Sequence, residues 1–264
     1  MNPPKYSKGV FLNIISKDKN GWKKQADFIN SLPNVNHVEI WIEENLKPAE
    51  IKFLKSLLKG YKILIHCPFV HLSLISPHPE IREITLKLYL GTLKIAEALK
   101  AELVTFHAGS KMEFIPGKTA ATPLIQNLKK IKNHSRGRIN FTIENLPPKT
   151  GPYNHFPESL KDLAYLKKLL PWLNFTLDIG HAFQSGENLD EISRFLKKHK
   201  NSILDIHLHD ATLKGRAHLA LGEGDLDINA FFKLLNEIGY SGYVSLETLT
   251  RNDTRKSWKK IYKK

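Results

Sequence analysis

The feature that most constrains the fold is a repeated alternation of short apolar stretches with longer amphipathic ones. Eight stretches with the length and composition of β-strands are each followed by a segment with helical periodicity. Strands that alternate with helices form parallel sheets with the helices packed outside them. Eight such units in 264 residues match a closed (β/α)8 TIM barrel better than an open doubly wound sheet, which more often has about five or six strands. We therefore predict one α/β domain over residues 1–264, with strands at residues 9–14, 37–42, 62–68, 102–109, 139–146, 174–183, 203–211 and 243–249.

Six of the predicted strands carry polar side chains on one face. Successive side chains point to opposite faces of a strand, and here one face is apolar while the other ends in His, Glu or Asp. The apolar face should pack against the helices, which leaves the polar face inside the barrel. Enzymes of this fold have their active sites at the carboxyl-terminal ends of the strands. The six strand-end residues are His66, His107, Glu144, Asp178, His207 and Glu247.

These six side chains predict a divalent metal site. Carboxylates that lie together without a cation repel one another, and their pKa values rise. A divalent ion removes that cost, and nitrogen and oxygen donors without a thiolate suit Zn²⁺, Mn²⁺, Mg²⁺ or Co²⁺. Each residue taken alone is equally well explained as a hydrogen-bonded core histidine or an ion-paired carboxylate. The set of six favours a metal.

Three more histidines extend this candidate site. His181 follows Asp178 by three residues, on the predicted loop above the barrel rim, and His218 lies in the loop after the seventh strand. Both are candidates for a second or third metal position or for a substrate contact. His209 comes two residues after His207, and we expect it either to support that ligand from behind or to bind substrate.

Two residues beside the strand ends are candidates for substrate contacts. Phe69, three residues after His66, is expected to wall the substrate pocket. Asn145 directly follows Glu144, and it is expected to orient that carboxylate or to hydrogen-bond a substrate hydroxyl.

Composition and charge limit the classes of partner. The net charge of +14 fits a nucleic acid, a phosphorylated substrate or lysine-rich helix faces in water, so charge alone leaves the partner open.

No apolar run is long enough for a transmembrane helix, and no glycine-rich nucleotide motif or serine-hydrolase elbow occurs. The first residues lack the apolar stretch of a signal peptide, and the single Cys67 forms no internal disulfide. We expect a cytoplasmic protein without a membrane partner, and the sequence leaves open whether it forms a homo-oligomer.

The sequence resembles the xylose isomerase-like TIM-barrel superfamily from about residue 62 to residue 248. The resemblance rests on the motifs IHCPF, FHAGS, IEN, LDIGHAF, HLHDA, HLALGEGD and SLET. The superfamily includes sugar phosphate isomerases and epimerases, and also the endonuclease IV type of apurinic-site nuclease (AP endonuclease family 2). The resemblance therefore implies the barrel and a metal, and it leaves the reaction open.

A resemblance to endonuclease IV-like proteins implies a site that holds three metal ions. In them, the residues matching His181 and His218 hold a third metal together with an Asp two residues before the latter. Here Arg216 stands at that position, and a cation disfavours a metal but suits a substrate phosphate. The resemblance assigns His66 and His107 to a first zinc, Glu144 as the bridge, and Asp178, His207 and Glu247 to a second zinc.

A resemblance to the isomerases and epimerases of the superfamily implies a smaller set of metal ligands: Glu144, Asp178, His207 and Glu247. In them the metal holds sugar oxygens while two glutamates, here Glu144 and Glu247, move a proton on and off carbon. The loop after Glu144 is not glycine-rich and the segment after the second strand is acidic, which departs from a DNA-binding nuclease. We therefore predict first an isomerase or epimerase of a sugar or sugar phosphate, with one to three ions, zinc or manganese before magnesium or cobalt. The alternatives are an apurinic-site endonuclease and a non-catalytic barrel that binds a sugar or phosphate.

Overall fold

The strands lie close to the positions predicted from the sequence. The computed structural model describes residues 5–14, 18–148, 152–213 and 215–261. The strands in these ranges are β1 (Ser7–Ile14), β2 (His37–Ile42), β3 (Lys62–His66), β4 (Leu103–Phe106), β5 (Ser110–Met112), β6 (Asn140–Glu144), β7 (Tyr153–His155), β8 (Asn174–Asp178), β9 (Ile203–Leu208) and β10 (Tyr243–Leu246).

Eight of these described strands close into a parallel barrel, which confirms the predicted (β/α)8 fold. Their order around the barrel is β1-β10-β9-β8-β6-β4-β3-β2. The short strands β5 and β7 pair antiparallel outside the barrel. Because β5 follows β4 and β7 follows β6, this two-stranded sheet joins two loops at the carboxyl-terminal end, where the candidate ligands also lie.

Side-chain caps start several of the helices that connect the strands. Asp18, Ser159, Asn188 and Asp227 each accept a hydrogen bond from a backbone N–H in the first turn of the following helix. No helix in the described ranges is long and apolar enough to cross a bilayer. The helices are α1 (Lys19–Asn30), α2 (Pro48–Leu57), α3 (Pro79–Leu99), α4 (Gly117–Ser135), α5 (Leu160–Leu169), α6 (Ile179–Gln184), α7 (Leu189–His199), α8 (Ile228–Glu237) and α9 (Arg251–Ile261), with a 3₁₀ turn at Lys200–Ser202.

The hydrophobic core lies between the outer face of the barrel and the helices. Ile65 of β3, Val104 and Phe106 of β4 are completely buried. The ring of Phe106 stacks on Tyr89 of α3 with 4.8 Å between the ring centroids. The predicted apolar faces therefore pack against the helices, and burial of each such side chain contributes about 1.5–3 kcal/mol.

The opposite faces of the strands fill the barrel interior with polar groups. Thr105, Thr142 and Thr176 are completely buried, and their hydroxyl oxygens form a triangle with sides of 2.7 to 3.3 Å. The candidate ligands lie two residues further along the same strands, one layer nearer to the carboxyl-terminal end. The interior is thus a hydrogen-bonded support directly under the candidate site.

Candidate metal centre

The six strand-end side chains predicted from the sequence come together at one end of the barrel. His66, Glu144 and Asp178 are the last residues of β3, β6 and β8. His107 and Glu247 directly follow β4 and β10, and His207 lies one residue before the end of β9. They fall into two donor groups, His66 with His107 and Glu144, and Glu144 with Asp178, His207 and Glu247.

In the first donor group, two imidazoles face one carboxylate oxygen. The Nε2 atoms of His66 and His107 lie 3.3 and 3.0 Å from Oε2 of Glu144, and 3.1 Å from each other. Nδ1 of His66 lies 2.9 Å from the carbonyl oxygen of Cys67, so it carries the proton and leaves a lone pair on Nε2. A lone pair that points at a second imidazole nitrogen and a carboxylate suits a cation between the three atoms.

In the second donor group, two buried polar atoms make no hydrogen bond. Nδ1 of His207 lies 3.2 Å from Oε1 of Glu144 and 3.3 Å from Oε2 of Glu247. Within the described part of the chain, this nitrogen and Oε2 of Glu247 are buried without a hydrogen-bond partner. Native proteins rarely leave buried polar atoms unpaired. The two atoms therefore fit a divalent ion, and Asp178 supplies a further oxygen donor.

Glu144 belongs to both donor groups. Its Oε2 faces the two imidazoles of the first group, and its Oε1 faces Nδ1 of His207. Burial alone would raise the pKa of Glu144, but the adjacent His207 and His107 hold it well below its usual range. An ionised carboxylate with one oxygen toward each group has the geometry that a ligand bridging two cations needs.

A third cluster contains only histidines in the described ranges: His181, His209 and His218. The ring centroids of His209 and His218 lie 4.2 Å apart, and that of His181 lies 5.2 and 5.4 Å from them. Burial lowers the pKa of His181 to about 4, so this imidazole is neutral and has a lone pair free to bind a metal at neutral pH. His209 is more constrained, since Nε2 lies 3.1 Å from an oxygen of Asp178 and Nδ1 lies 3.0 Å from the backbone N of His218.

One residue of this cluster, His181, differs in position from the sequence-based expectation. His181 was expected in a loop and lies in α6, because Oδ1 of Asp178 accepts a hydrogen bond from its backbone N (2.6 Å) and starts a helical turn. Arg216 was expected to contact a substrate phosphate in place of the third metal, and that expectation stays a prediction. Its side chain is exposed, its backbone bonds to Thr212, and His209 occupies the place beside the two other histidines.

Asn145 supports the site through the backbone of Asp178. It is completely buried, and its amide bonds both backbone groups of Asp178, with Nδ2 donating to the carbonyl oxygen (2.8 Å) and Oδ1 accepting from N (2.9 Å). With both ends of the amide in use, Asn145 fixes the position of Asp178 rather than facing a substrate.

Aromatic rings wall one side of the centre. Phe69 stacks on His107 with 4.5 Å between ring centroids and on Trp41 with 4.9 Å. Nε1 of Trp41 donates to Glu43, which also accepts from the backbone N of Val70. Phe69 thus lies against a candidate ligand, and its role as a wall of the substrate pocket stays a prediction. It is held there by Trp41, which was not among the residues selected from the sequence.

Three further buried residues lie under the centre and were also missed. His37 and Glu39 on β2 and Asp205 on β9 are completely buried. Glu39 and Asp205 form a group with His207. A signal for β2 was present, because His37, Glu39 and Trp41 alternate with apolar residues just as the six selected strands do.

Comparison with known proteins gives a consistent family. A sequence model described as "Xylose isomerase-like TIM barrel" matches residues 27–264. An uncharacterized protein of Methanocaldococcus jannaschii is 30% identical over 225 residues, 80% of this chain and 73% of that protein. A probable endonuclease 4 of Aquifex aeolicus is 25% identical over 214 residues, 76% of this chain and 74% of that protein. Among solved structures, a D-tagatose 3-epimerase-like protein superimposes with a TM-score of 0.81 at 25% identity, covering 97% of this chain and 96% of the other.

Proposed function

The chain belongs to the xylose isomerase-like TIM-barrel family, and from that premise we propose that it is a divalent-metal-dependent hydrolase of phosphodiesters of the endonuclease IV type. The substrate class that we propose is DNA with an abasic site. The sequence alone favoured a sugar isomerase or epimerase. The observation that carries the change is the position of Glu144 between the two donor groups.

A glutamate that removes a proton from carbon must direct one oxygen at the substrate. Both oxygens of Glu144 instead face imidazole nitrogens, at 3.0 and 3.3 Å for Oε2 and 3.2 Å for Oε1. This arrangement supports a role as a bridging ligand. Two adjacent divalent ions, when bound, would supply charge stabilisation to both the attacking and the leaving oxygen of a phosphodiester.

Other residues of the chain favour a phosphodiester substrate. The net charge of +14 attracts a polyanion. Phe69 and Trp41 present stacked rings at the rim, where an exposed base or sugar can pack. Hydrolysis joins a water oxygen to phosphorus and breaks the phosphorus bond to the sugar oxygen, which takes up a proton. The neutral imidazole of His181 and the quarter-exposed Glu247 border this space.

A sugar epimerase is the second candidate. Glu144 and Glu247 both lie within 3.3 Å of Nδ1 of His207, which is the pairing that proton transfer by two ligand glutamates needs. The similarity to the D-tagatose 3-epimerase-like protein supports the same candidate.

Substitution of the two histidines in the first donor group distinguishes the proposed hydrolase from the epimerase. We expect zinc- or manganese-loaded protein to cleave duplex DNA at an abasic site. His66→Ala and His107→Ala should lower that rate by at least about 100-fold, because changes one shell further out already cost about 10–100-fold. The matched control is His78→Ala, since His78 is exposed and its side chain makes no capping bond.

An epimerase gives the opposite pattern. Solvent deuterium would enter one of a panel of ketoses or their phosphates, the exchange would survive His66→Ala, and Glu247→Gln would abolish it. Intact abasic DNA over all the metals tested would refute the proposed hydrolase. Absence of bound or restorable metal would refute both enzymes and leave a binding barrel.

A further inference from the structure

Below the candidate metal centre, the barrel holds two buried carboxylates that the proposed reaction does not use. Glu39 on β2 and Asp205 on β9 are both completely buried. Nε2 of His207 lies 3.1 and 3.2 Å from the two oxygens of Glu39 and 3.7 Å from Oδ2 of Asp205. Glu39 therefore reaches across the barrel interior to the side of His207 that faces away from the metal centre.

We propose that Glu39 is a positioning residue that holds His207 in the tautomer and orientation needed to bind metal through Nδ1. The proposal rests on the proposed function only in taking His207 as a metal ligand. An N–H donates and a carboxylate accepts, so the contact with Glu39 places the ring proton on Nε2. The lone pair of a neutral imidazole is then on Nδ1, which faces Glu144 and Glu247.

The orientation of the His207 ring is fixed from a second direction. Phe11 of β1 lies against it edge to face, with 5.0 Å between the ring centroids and 83° between the planes. Because the imidazole contacts both Glu39 and the ring of Phe11, its rotation would break both contacts. Nδ1 is thereby kept at the metal position, although it makes no hydrogen bond itself.

A chain of hydrogen bonds begins beside Glu39 and runs away from the centre. An oxygen of Asp205 lies within 4.8 Å of an oxygen of Glu39, and Asp205 accepts from Oγ of Ser245 at 3.0 and 3.2 Å. Oγ of Ser245 lies 2.9 Å from Nε2 of His37, whose Nδ1 lies 2.9 Å from Oγ of Ser7. These residues surround the Glu39 carboxylate with buried polar groups and keep it away from solvent.

The free-energy cost of burying these charged groups indicates that they are not present to stabilise the fold. Buried ion pairs are frequently no more stabilising than apolar residues of similar volume, and the interiors of such barrels are filled mainly by branched apolar side chains. On the other side of the same layer, the interior is closed by uncharged Thr105, Thr142 and Thr176. Carboxylates occur only on the side that adjoins His207, among the residues that the structure describes in this layer.

The experiment compares Glu39→Gln and Glu39→Leu with Thr105→Val. Gln retains an oxygen that accepts from Nε2, whereas Leu removes the acceptor. Thr105 is buried in the same layer and touches neither Glu39 nor His207 in the contacts above, so Thr105→Val controls for loss of an interior hydrogen bond. Folding of each variant is checked by its unfolding transition without metal.

Two measurements report on His207 itself: its ¹⁵N spectrum and the affinity for Zn²⁺. In metal-free protein labelled with ¹⁵N-histidine, assigned with His207→Asn and brought to a pH at which the His207 ring is neutral, the wild type should show the tautomer with the proton on Nε2. Zn²⁺ buffered by a chelator should then shift that resonance. We expect Zn²⁺ affinity to fall about 10–100-fold in Glu39→Leu and by less in Glu39→Gln, with a mixture of tautomers in Glu39→Leu.

The proposal is overturned if the tautomer and Zn²⁺ affinity of Glu39→Leu match those of the wild type. Equal loss of affinity in Thr105→Val would overturn it as well, because the effect would then be a general loss of packing. Neither readout uses turnover. A protein that cleaves no DNA but loses Zn²⁺ affinity in Glu39→Leu refutes the proposed function and retains this inference.

Discussion

His37 at the amino-terminal end of the interior gives the sharpest quantitative prediction. Its imidazole is completely buried, and its two nitrogens lie 2.9 Å from the hydroxyls of Ser7 and Ser245. Burial lowers the pKa of His37 to about 3, with Lys62 and His207 adding to the decrease and Glu39 opposing it. The ring is therefore neutral in the folded protein at every pH at which the fold is expected to persist.

The direction and the size of the pH effect on folding stability follow from this depressed pKa. In the unfolded chain His37 takes up a proton near its ordinary value of 6.5, while the folded protein resists protonation down to about pH 3. Its stabilising contribution is thus fully present above pH 6.5 and is lost as the pH falls toward 3. Each unit below 6.5 costs about 1.4 kcal/mol, so pH 5 removes roughly 2 kcal/mol relative to pH 8.

The assay is urea unfolding of wild type and His37→Gln in chelator at pH 8 and pH 5. At pH 8 the variant should be less stable, because two buried hydroxyl contacts are lost. At pH 5 the gap between the two proteins should shrink by roughly 2 kcal/mol, since the variant lacks the group that resists protonation. Other buried histidines are common to both proteins and cancel in the difference. A gap that stays constant between the two pH values would refute the assignment of a depressed pKa to His37.

Three further predictions concern the support of the centre. Gly180→Ala should weaken metal binding and cost about 1–3 kcal/mol, because a Cβ there would overlap the ring of His209, which contacts Asp178; unchanged Zn²⁺ affinity would contradict it. Asn145→Ala should cost about 2–5 kcal/mol in urea unfolding without metal, since both backbone groups of Asp178 would stay buried and unpaired; a loss under about 1 kcal/mol would refute that role. Removal of zinc by a chelator should lower the midpoint of thermal unfolding by about 10 °C. Bound zinc is expected to stabilise the folded state by about 4 kcal/mol, and each kcal/mol shifts the midpoint by about 2–4 °C in a chain of this size. Equal midpoints with and without zinc would exclude a metal site in the folded state.

The fold and the strand-end ligands could be predicted because both depend on local periodicity. A period of two within strands and the strand–helix alternation are present in the sequence itself, and they placed all six strand-end residues at one end of the barrel. Glu39 was missed although it follows the same period, because it lies in the middle of β2 rather than at its end. Its partner His207 lies across the barrel, and contacts between strands that are not neighbours depend on barrel closure and strand stagger.

The third cluster shows a different limit of sequence reasoning. His209 lies two residues after His207 and therefore on the same inward side of the chain, so its approach to the centre could be predicted. Its convergence with His218 could not, since His218 lies in a long loop and has a left-handed backbone with φ of 53°. A motif comparison assigns the place of a missing carboxylate to the residue at the same sequence position, Arg216. In the fold, His209, which directly follows β9, lies beside His181 and His218, but its two nitrogens bond Asp178 and the backbone N of His218.

The polarity of the barrel interior argues for catalysis over binding alone. A barrel that only bound a sugar or a phosphate would need polar groups at its mouth, where they meet the ligand. This barrel also buries the Glu39 and Asp205 carboxylates one layer below the mouth, where no substrate contact is needed. Support of that kind fixes ligand atoms to within a fraction of an ångström, which matters for transition-state geometry far more than for affinity. Its presence under His207, and the position of Glu144 between the two donor groups, favour the proposed hydrolase over a barrel that only binds a ligand.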